Sequence, residues 1–280
     1  MHHSDSEKLY TIGEVSKICN ISRKALRHYD QMGVLSPDVV SKETGYRYYS
    51  EATLLLVPVV KYYKQMGFKL EEMQDLVEGN TYYYYIEQNF YSKIEELRIR
   101  EAEVRNSLIA VSDWYDLLEE ARMVRQIGKQ DVSIKYITRA LYCWLEQEFN
   151  YDYIASIINI EWVNYLESVG NKITGAVILK YPSYKEKMEG ISNSATIMQR
   201  PVLPCTSETN TVKTENMLAI SLYHVGPMET LDQEYDKIEL WAKEKGYKCA
   251  EECYERYVVD YWTTRNPEEF VTEIIVPLLK

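Results

Sequence analysis

Apolar residues along this chain change their spacing three times, and each change marks a different kind of element. In the first stretch, Ile12, Val15 and Ile18 recur at helical spacing behind Thr11, and Thr11 with Glu14 reads as a capping box. Asn20 and Ile21 form a short turn. Ser22 then caps a second helix over 23–32, with Ala25, Leu26 and Tyr29 facing inward. Two short helices joined by a tight turn make a helix-turn-helix. Gly33 ends the pair, Val34-Leu35-Ser36-Pro37 leads into an extended stretch, and Thr44-Gly45 marks a turn. Tyr46-Arg47-Tyr48-Tyr49 follows, and the segment reads as a β-wing. A third helix spans 51–66 and contains Leu54, Leu55, Val59 and Tyr62. Pro58 is expected to kink it or to lie near its start. A short helix follows over 70–77 and ends at Gly79.

From Tyr82 to Arg125 there is neither Pro nor Gly, and the spacing becomes that of heptads. The seam runs Phe90, Ile94, Leu97, Glu101, Val104, Leu108, Val111, Tyr115, Leu118 and Arg122, eight of them apolar or aromatic. A helix of that length is roughly 66 Å long. It cannot bury such a stripe alone, so a coiled-coil homodimer is expected; a helix packed inside its own domain is the alternative. Tyr82-Tyr83-Tyr84-Tyr85 opens the helix and covers all its faces, so some of these rings are expected to pack.

Beyond a linker at 128–131 the pattern turns to strands and helices. Strands are expected at 134–145, 173–180, 196–202, 217–224, 253–261 and 270–278. Helices are expected at 152–168 and 227–245, with Gly170 and Gly246 as stops. The order is β-α-β-β, then β-α-β-β, an internal duplication. The fold class is therefore α+β in three parts: a DNA-binding head over 1–80, a dimerisation helix over 81–127 and a C-terminal domain over 128–280.

Charge divides along the same lines. The total is −11, which taken whole argues against a nucleic-acid partner. Residues 8–69, however, carry ten Lys/Arg against five Asp/Glu, and residues 130–280 carry fifteen against twenty-three. A basic head precedes an acidic C-terminal module. The head's charge gathers at Arg23, Lys24, Arg27 and His28, on the first two turns of the second helix, where a recognition helix enters the major groove. A solvated basic helix face fits that composition equally well; the wing that follows favours DNA. Thirteen of the 26 tyrosines fall in 130–280.

The longest uncharged apolar runs, 54–60 and 173–179, are far shorter than the roughly 20 residues a membrane helix needs. The N-terminus lacks an apolar signal core, so a cytoplasmic protein with no membrane partner is expected. The five cysteines, Cys19, Cys143, Cys205, Cys249 and Cys253, form no regular framework and no CxxC pair, so reduced thiols and no metal are expected. No cofactor is expected.

Tyr10-Thr11-Ile12-Gly13-Glu14-Val15-Ser16, Ala25-Leu26-Arg27-His28-Tyr29-Asp30, Gly33-Val34-Leu35 and Gly45-Tyr46-Arg47-Tyr48-Tyr49 together resemble the MerR family of transcription regulators. The resemblance implies a winged helix-turn-helix, a helix pair and a long, antiparallel-paired dimerisation helix. It places Thr11, Arg23, Lys24, Arg27, His28, Tyr29, Tyr46, Arg47 and Tyr48 at palindromic double-stranded promoter DNA. His28 departs from the Tyr or Arg frequent in relatives. The metal- and redox-sensing branch places cysteines at the ends of the long helix, where this chain has none.

Tyr223-His224-Val225-Gly226-Pro227, Trp241, Lys245-Gly246-Tyr247, Cys253-Tyr254-Glu255-Arg256-Tyr257 and Thr272-Glu273-Ile274-Ile275-Val276-Pro277 resemble the GyrI-like effector-binding domains. With the head, the layout is similar to the BmrR-type multidrug-sensing activators. That likeness implies RNA polymerase as a partner, and a glutamate among aromatics, here Glu255, that binds a lipophilic cationic or aromatic effector. A desolvated carboxylate compensated by a cation lying on aromatic faces explains why such a site is tolerant of shape. Tyr142 and Trp144, two apart on one strand face, are expected as walls with Tyr223, Tyr257 and Phe270. For the aromatics the alternative is core packing. For Glu255 it is a surface carboxylate, or one salt-bridged to Arg256. Some GyrI-like domains hydrolyse small electrophiles, so a hydrolase is the second reading. Against it, the chain has no GxSxG, no HExxH, and only His224 among histidines in its C-terminal half.

Overall fold

A computed structural model describes residues 8–77, 82–128 and 130–279. The chain forms two compact units, divided between Ala102 and Glu103.

The first unit opens with β1 (Tyr10–Thr11) and α1 (Ile12–Ile18), started by the Thr11–Glu14 capping box. Ser22 caps α2 (Arg23–Gln31) by accepting from the Ala25 N–H. Gly33 then takes φ +65°, the left-handed conformation that lets the chain leave the helix. The strands β2 (Val39–Val40) and β3 (Arg47–Tyr49) form the wing, which pairs with β1 in the order β1-β3-β2. α3 (Glu51–Gln65) and α4 (Leu70–Val77) follow. Pro58 lies in the middle of α3 and not near its start. Its missing N–H leaves the Leu54 carbonyl without its helical donor, and the Cys19 thiol approaches that oxygen at 3.9 Å. Val15, Leu26, Tyr29, Tyr49, Val57 and Val60 are buried in one core. Gly79, expected to end α4, lies outside the described residues.

α5 (Tyr83–Ile127) runs through both units. In the first, Ile86 and Phe90 pack on the core. In the second, Leu117, Ala121 and Val124 are buried against strand residues of the same unit. The heptad seam is a different stripe: Val104, Leu108, Val111 and Tyr115 are 59–67% exposed. Tyr82–Tyr85 are also exposed in the single chain. No helix among the described residues is long and apolar enough to cross a membrane.

The second unit is an eight-stranded antiparallel sheet with helices on one face and the end of α5 on the other. Its elements are β4 (Ser133–Ile137), β5 (Leu141–Glu148), α6 (Tyr153–Ile157), α7 (Ile160–Ser168), β6 (Val177–Tyr181), α8 (Tyr184–Met188), β7 (Ser194–Gln199) and β8 (Thr211–Lys213). β9 (Met217–Val225), α9 (Asp232–Lys245), β10 (Cys253–Val259) and β11 (Val271–Pro277) complete it. The strand order β4-β9-β11-β10-β6-β7-β5-β8 contains two repeats of one unit, β9-β11-β10 and β5-β7-β6, which meet where β10 pairs with β6.

Four sequence expectations change here. The single strand over 134–145 is two strands, β4 at one edge of the sheet and β5 next to the strand at the other edge. The N–H groups of Arg139 and Ala140 turn away to Asn216 and Thr214 side chains between them. The single helix over 152–168 is two helices, because Asn159 supplies a second cap to the Trp162 N–H. The strand expected from Ile173 starts at Val177, after Gly175 takes φ +66°. The polar loop after β6 contains α8, five residues that are too short and too polar to show a period.

Candidate functional site

In the head, Arg23, Lys24, Arg27 and His28 are all exposed on α2, away from the buried Leu26 and Tyr29. With Ile12, Thr44, Gly45, Tyr46 and Arg47, residues Arg23 and Arg27 line a cavity of about 380 Å³ between α2 and the wing. Tyr46 is exposed at the wing tip and Tyr48 is half-buried. Three of the expected contacts also hold the head together. Tyr29 is 3% exposed and sits in the core. The Thr11 hydroxyl donates to Glu14 at 2.9 Å and accepts the Glu14 N–H. Arg47 Nε is 2.9 Å from Asp30 Oδ2, which ties the wing to the recognition helix. The exposed face is therefore Arg23, Lys24, Arg27, His28 and Tyr46.

In the second unit, strand register decides which predicted residues meet. Directly paired residues in an antiparallel sheet point to the same face, and successive residues alternate. Glu255 pairs with Leu179 and Ile274, and Tyr257 with Val177 and Thr272, all on the helix-covered face. Phe270 is buried in the same core as Tyr257. Trp144 pairs with Met198, Met198 with Ile178, and Ile178 with Arg256, which puts Trp144 on the opposite face. Tyr142, two residues away, shares that face with Trp144. Tyr223 pairs with Glu273 and Glu273 with Arg256, again on the opposite face. So Glu255, Tyr257 and Phe270 lie on one side of the sheet, and Tyr142, Trp144 and Tyr223 on the other. Trp144 lines a cavity of about 580 Å³ with Tyr254 and Lys180. Tyr223 lies by α5, where its hydroxyl donates to Glu120 at 2.7 Å.

Glu255 is completely buried. The hydroxyls of Tyr235, on α9, and of Tyr257 each donate to its carboxylate at 2.7 Å, and that of Tyr181, on β6, at 3.4 Å. The group that balances its charge is Lys187, on α8. Lys187 Nζ is 2.9 Å from Glu255 Oε1 and 3.0 Å from the Tyr153 hydroxyl, and it is itself 0% exposed. The ammonium also lies 5.0 Å from the Tyr235 ring centre, 5.3 Å from Tyr181 and 5.6 Å from Tyr153, within cation–π range. Burial alone would pull the Lys187 ammonium down in pKa; the adjacent Glu255 carboxylate outweighs that and holds it above the ordinary lysine range. Burial, with Glu255 nearby, pushes the Tyr181, Tyr235 and Tyr257 hydroxyls well up, so they act as donors and not as acids. The alternative of a salt-bridged Glu255 holds, with Lys187 and not Arg256 as its partner. Arg256 points the other way, into Glu273 and Glu120.

Lys187, Tyr153, Tyr181 and Tyr235 were missed by sequence reasoning. They come from four separate elements, and only the Tyr content of this half hinted at an aromatic box. Among the described residues no group of three or more His, Cys, Asp or Glu side chains is placed to hold a metal ion.

Residues 10–80 match the family model for MerR HTH family regulatory proteins, and residues 145–279 that for GyrI-like small molecule binding domains. The chain is 39% identical over 124 residues to the multidrug-efflux transporter 1 regulator of Bacillus subtilis (strain 168), a match over 43% of this chain and 41% of that one. It is 40% identical over 77 residues, 28% of each chain, to the multidrug-efflux transporter 2 regulator of the same organism. The matched stretch thus spans less than half the length of either relative. A cryo-EM structure of an EcmrR–DNA complex superposes over 97% of this chain and 100% of that one, at 20% identity and a TM-score of 0.46.

Proposed function

The chain joins a MerR-type helix-turn-helix head to a GyrI-like small molecule binding domain, and on that premise we propose that it is a ligand-responsive transcription regulator. It acts in the cytoplasm as a homodimer on palindromic promoter DNA. Binding of a lipophilic cationic or aromatic molecule to the C-terminal domain distorts that DNA so that RNA polymerase engages. Its parts are a DNA-binding head over 1–80, a dimerisation helix over 81–127 and an effector domain over 128–280.

One observation carries the effector half of this reading: a carboxylate with no exposed surface, held by tyrosine hydroxyls and faced by aromatic rings. Lys187 balances that charge in the free chain, and because an uncompensated buried charge is costly, a molecule that takes its place has to bring positive charge. For the DNA half, Arg23, Lys24 and Arg27 enter the major groove from the first turns of α2, and Tyr46 reaches the backbone from the wing. The exposed seam at Val104, Leu108, Val111 and Tyr115 is covered by the second protomer. Hydrolysis is the weaker reading, because the matched relatives are regulators and His224 is engaged with Glu234 and Thr230.

Two measurements test this. In the first, ethidium, a planar monocation, is titrated into the full chain by fluorescence. Ethidium should bind more tightly than neutral phenanthridine, and Glu255→Gln should abolish the difference. An unchanged ethidium affinity in that variant would sink the role of Glu255. In the second, duplexes are selected from a random pool on the full chain. Inverted repeats should be recovered, and Arg27→Ala should weaken their retention and flatten its salt dependence.

A further inference from the structure

We propose that Lys187 is a built-in competitor for the effector: the molecule that reaches Glu255 has to exchange with this ammonium, so Lys187 sets which molecules the domain accepts. The inference rests on the reading of Glu255 as the effector carboxylate and adds what that reading lacks, an account of what occupies the site beforehand.

The geometry is that of a bound ligand. An alkylammonium head donates to one carboxylate oxygen and one phenol, and three tyrosine rings surround it. Glu255 and Lys187 are both 0% exposed, so an arriving molecule finds no free carboxylate. A neutral aromatic that pushed Lys187 out would strand a buried negative charge. A cation would leave the site's charge unchanged, so the exchange itself selects for positive charge. The displaced ammonium has somewhere to go. Asp232 Oδ1, at the start of α9, is 3.8 Å from Lys187 Nζ, and the Asp232 side chain is 56% exposed. The element that carries Lys187 suits the exchange. At five residues, α8 is too short to persist by helix propensity alone. It is held by the box itself, by the Tyr184–Tyr235 stack at 6.1 Å, and by the Tyr151 hydroxyl donating to the Lys187 carbonyl at 2.9 Å.

Ethidium affinity is to be compared in the full-length wild type, Lys187→Met, Glu255→Gln and the double variant. Removing the resident cation should tighten ethidium binding by about tenfold or more, because the competent state no longer has to be opened. The double variant should lose that gain. Wild type that binds ethidium with Lys187→Met no tighter overturns the exchange while leaving the role of Glu255 intact. A gain that persists in the double variant also overturns it, since space and not charge would be its cause. Absence of binding in both wild type and Lys187→Met rejects the Glu255 reading, and the exchange with it. A measurement without variants guards against misfolding. Acetylation of wild-type lysines by a sulfosuccinimidyl ester, read by peptide mass spectrometry, should leave Lys187 protected in the free protein. Saturating ethidium should raise its labelling severalfold; unchanged labelling under saturation overturns the proposal.

Discussion

Two fully buried glutamates stand on neighbouring central strands of the C-terminal sheet and face opposite ways. Glu273, on β11, meets Arg256 Nε at 2.7 Å, Lys135 Nζ at 2.7 Å and the Ser221 hydroxyl at 2.6 Å. Glu255, on β10, meets three tyrosine hydroxyls and Lys187. The count of partners is similar; the support differs. Arg256 and Glu273 are direct register partners in the ladder, and Lys135 comes from another strand of the same sheet. Their geometry is imposed by backbone hydrogen bonds that hold the whole domain. Lys187 arrives on a five-residue helix outside the sheet. A buried charge pair is structural when its partner is on the scaffold and exchangeable when its partner is on an element that can leave.

The strongest test of that distinction is Arg256→Met, which removes the one cation shared by Glu273 and Glu120 and leaves Glu273 with Lys135 and Ser221. Breaking a buried pair of this kind costs about 3–5 kcal/mol, so urea unfolding should show a loss of that order; a loss below about 1 kcal/mol would end the comparison. Arg256 and Lys135 outweigh the burial of Glu273 and hold its carboxyl below the ordinary 4.5. The stability it contributes is therefore present above pH 4.5 and is lost as pH falls through the folded value.

A third buried carboxylate, Asp260, sharpens the contrast. It is 2% exposed, accepts the Trp262 N–H, and is pushed by burial from 3.8 to about 7. A raised acid binds its proton more tightly when folded, so stability declines as pH climbs from 3.8 towards 7. Asp260→Asn should match wild type near pH 4 and exceed it above pH 7 by up to about 4 kcal/mol. A difference that does not vary with pH would remove Asp260 from the comparison.

Glu255→Gln should cost less than Arg256→Met, about 1–2 kcal/mol, because Lys187 can turn towards Asp232 and need not stay buried and unpaired. Equal losses in the two variants would mean that both sites are structural. The smallest effect is expected from Tyr235→Phe, which removes one hydrogen bond to Glu255 and should lower unfolding stability by about 1 kcal/mol.

Much of the fold was legible in the residues themselves. Thr11–Glu14 and Ser22 capped their helices as their spacing indicated, and the wing followed the Thr44-Gly45 turn. The duplicated β-α-β-β order was visible because each element carried its own period. Glu255 and Tyr257 share one face, since two residues apart on a strand is a local fact. Tyr142 and Trp144 were also rightly paired with each other, yet on the face away from Glu255. Which face of β5 matches which face of β10 depends on pairing through β7 and β6, a chain of registers that no segment states about itself. The heptad seam was legible as a stripe. That α5 also buries a second stripe, Leu117, Ala121 and Val124, depends on the strands beneath it.

By itself, then, the sequence determined the elements, the capped basic helix and the seam, which follow from spacing within single segments, while Glu255 was singled out by family resemblance. Only the tertiary structure decided that Lys187 is the partner of Glu255. A lysine in a short polar helix resembles any surface lysine until long-range packing brings it, Tyr153, Tyr181 and Tyr235 to one point. That packing is set by the free energy of burying the whole core, not by any preference of the four residues.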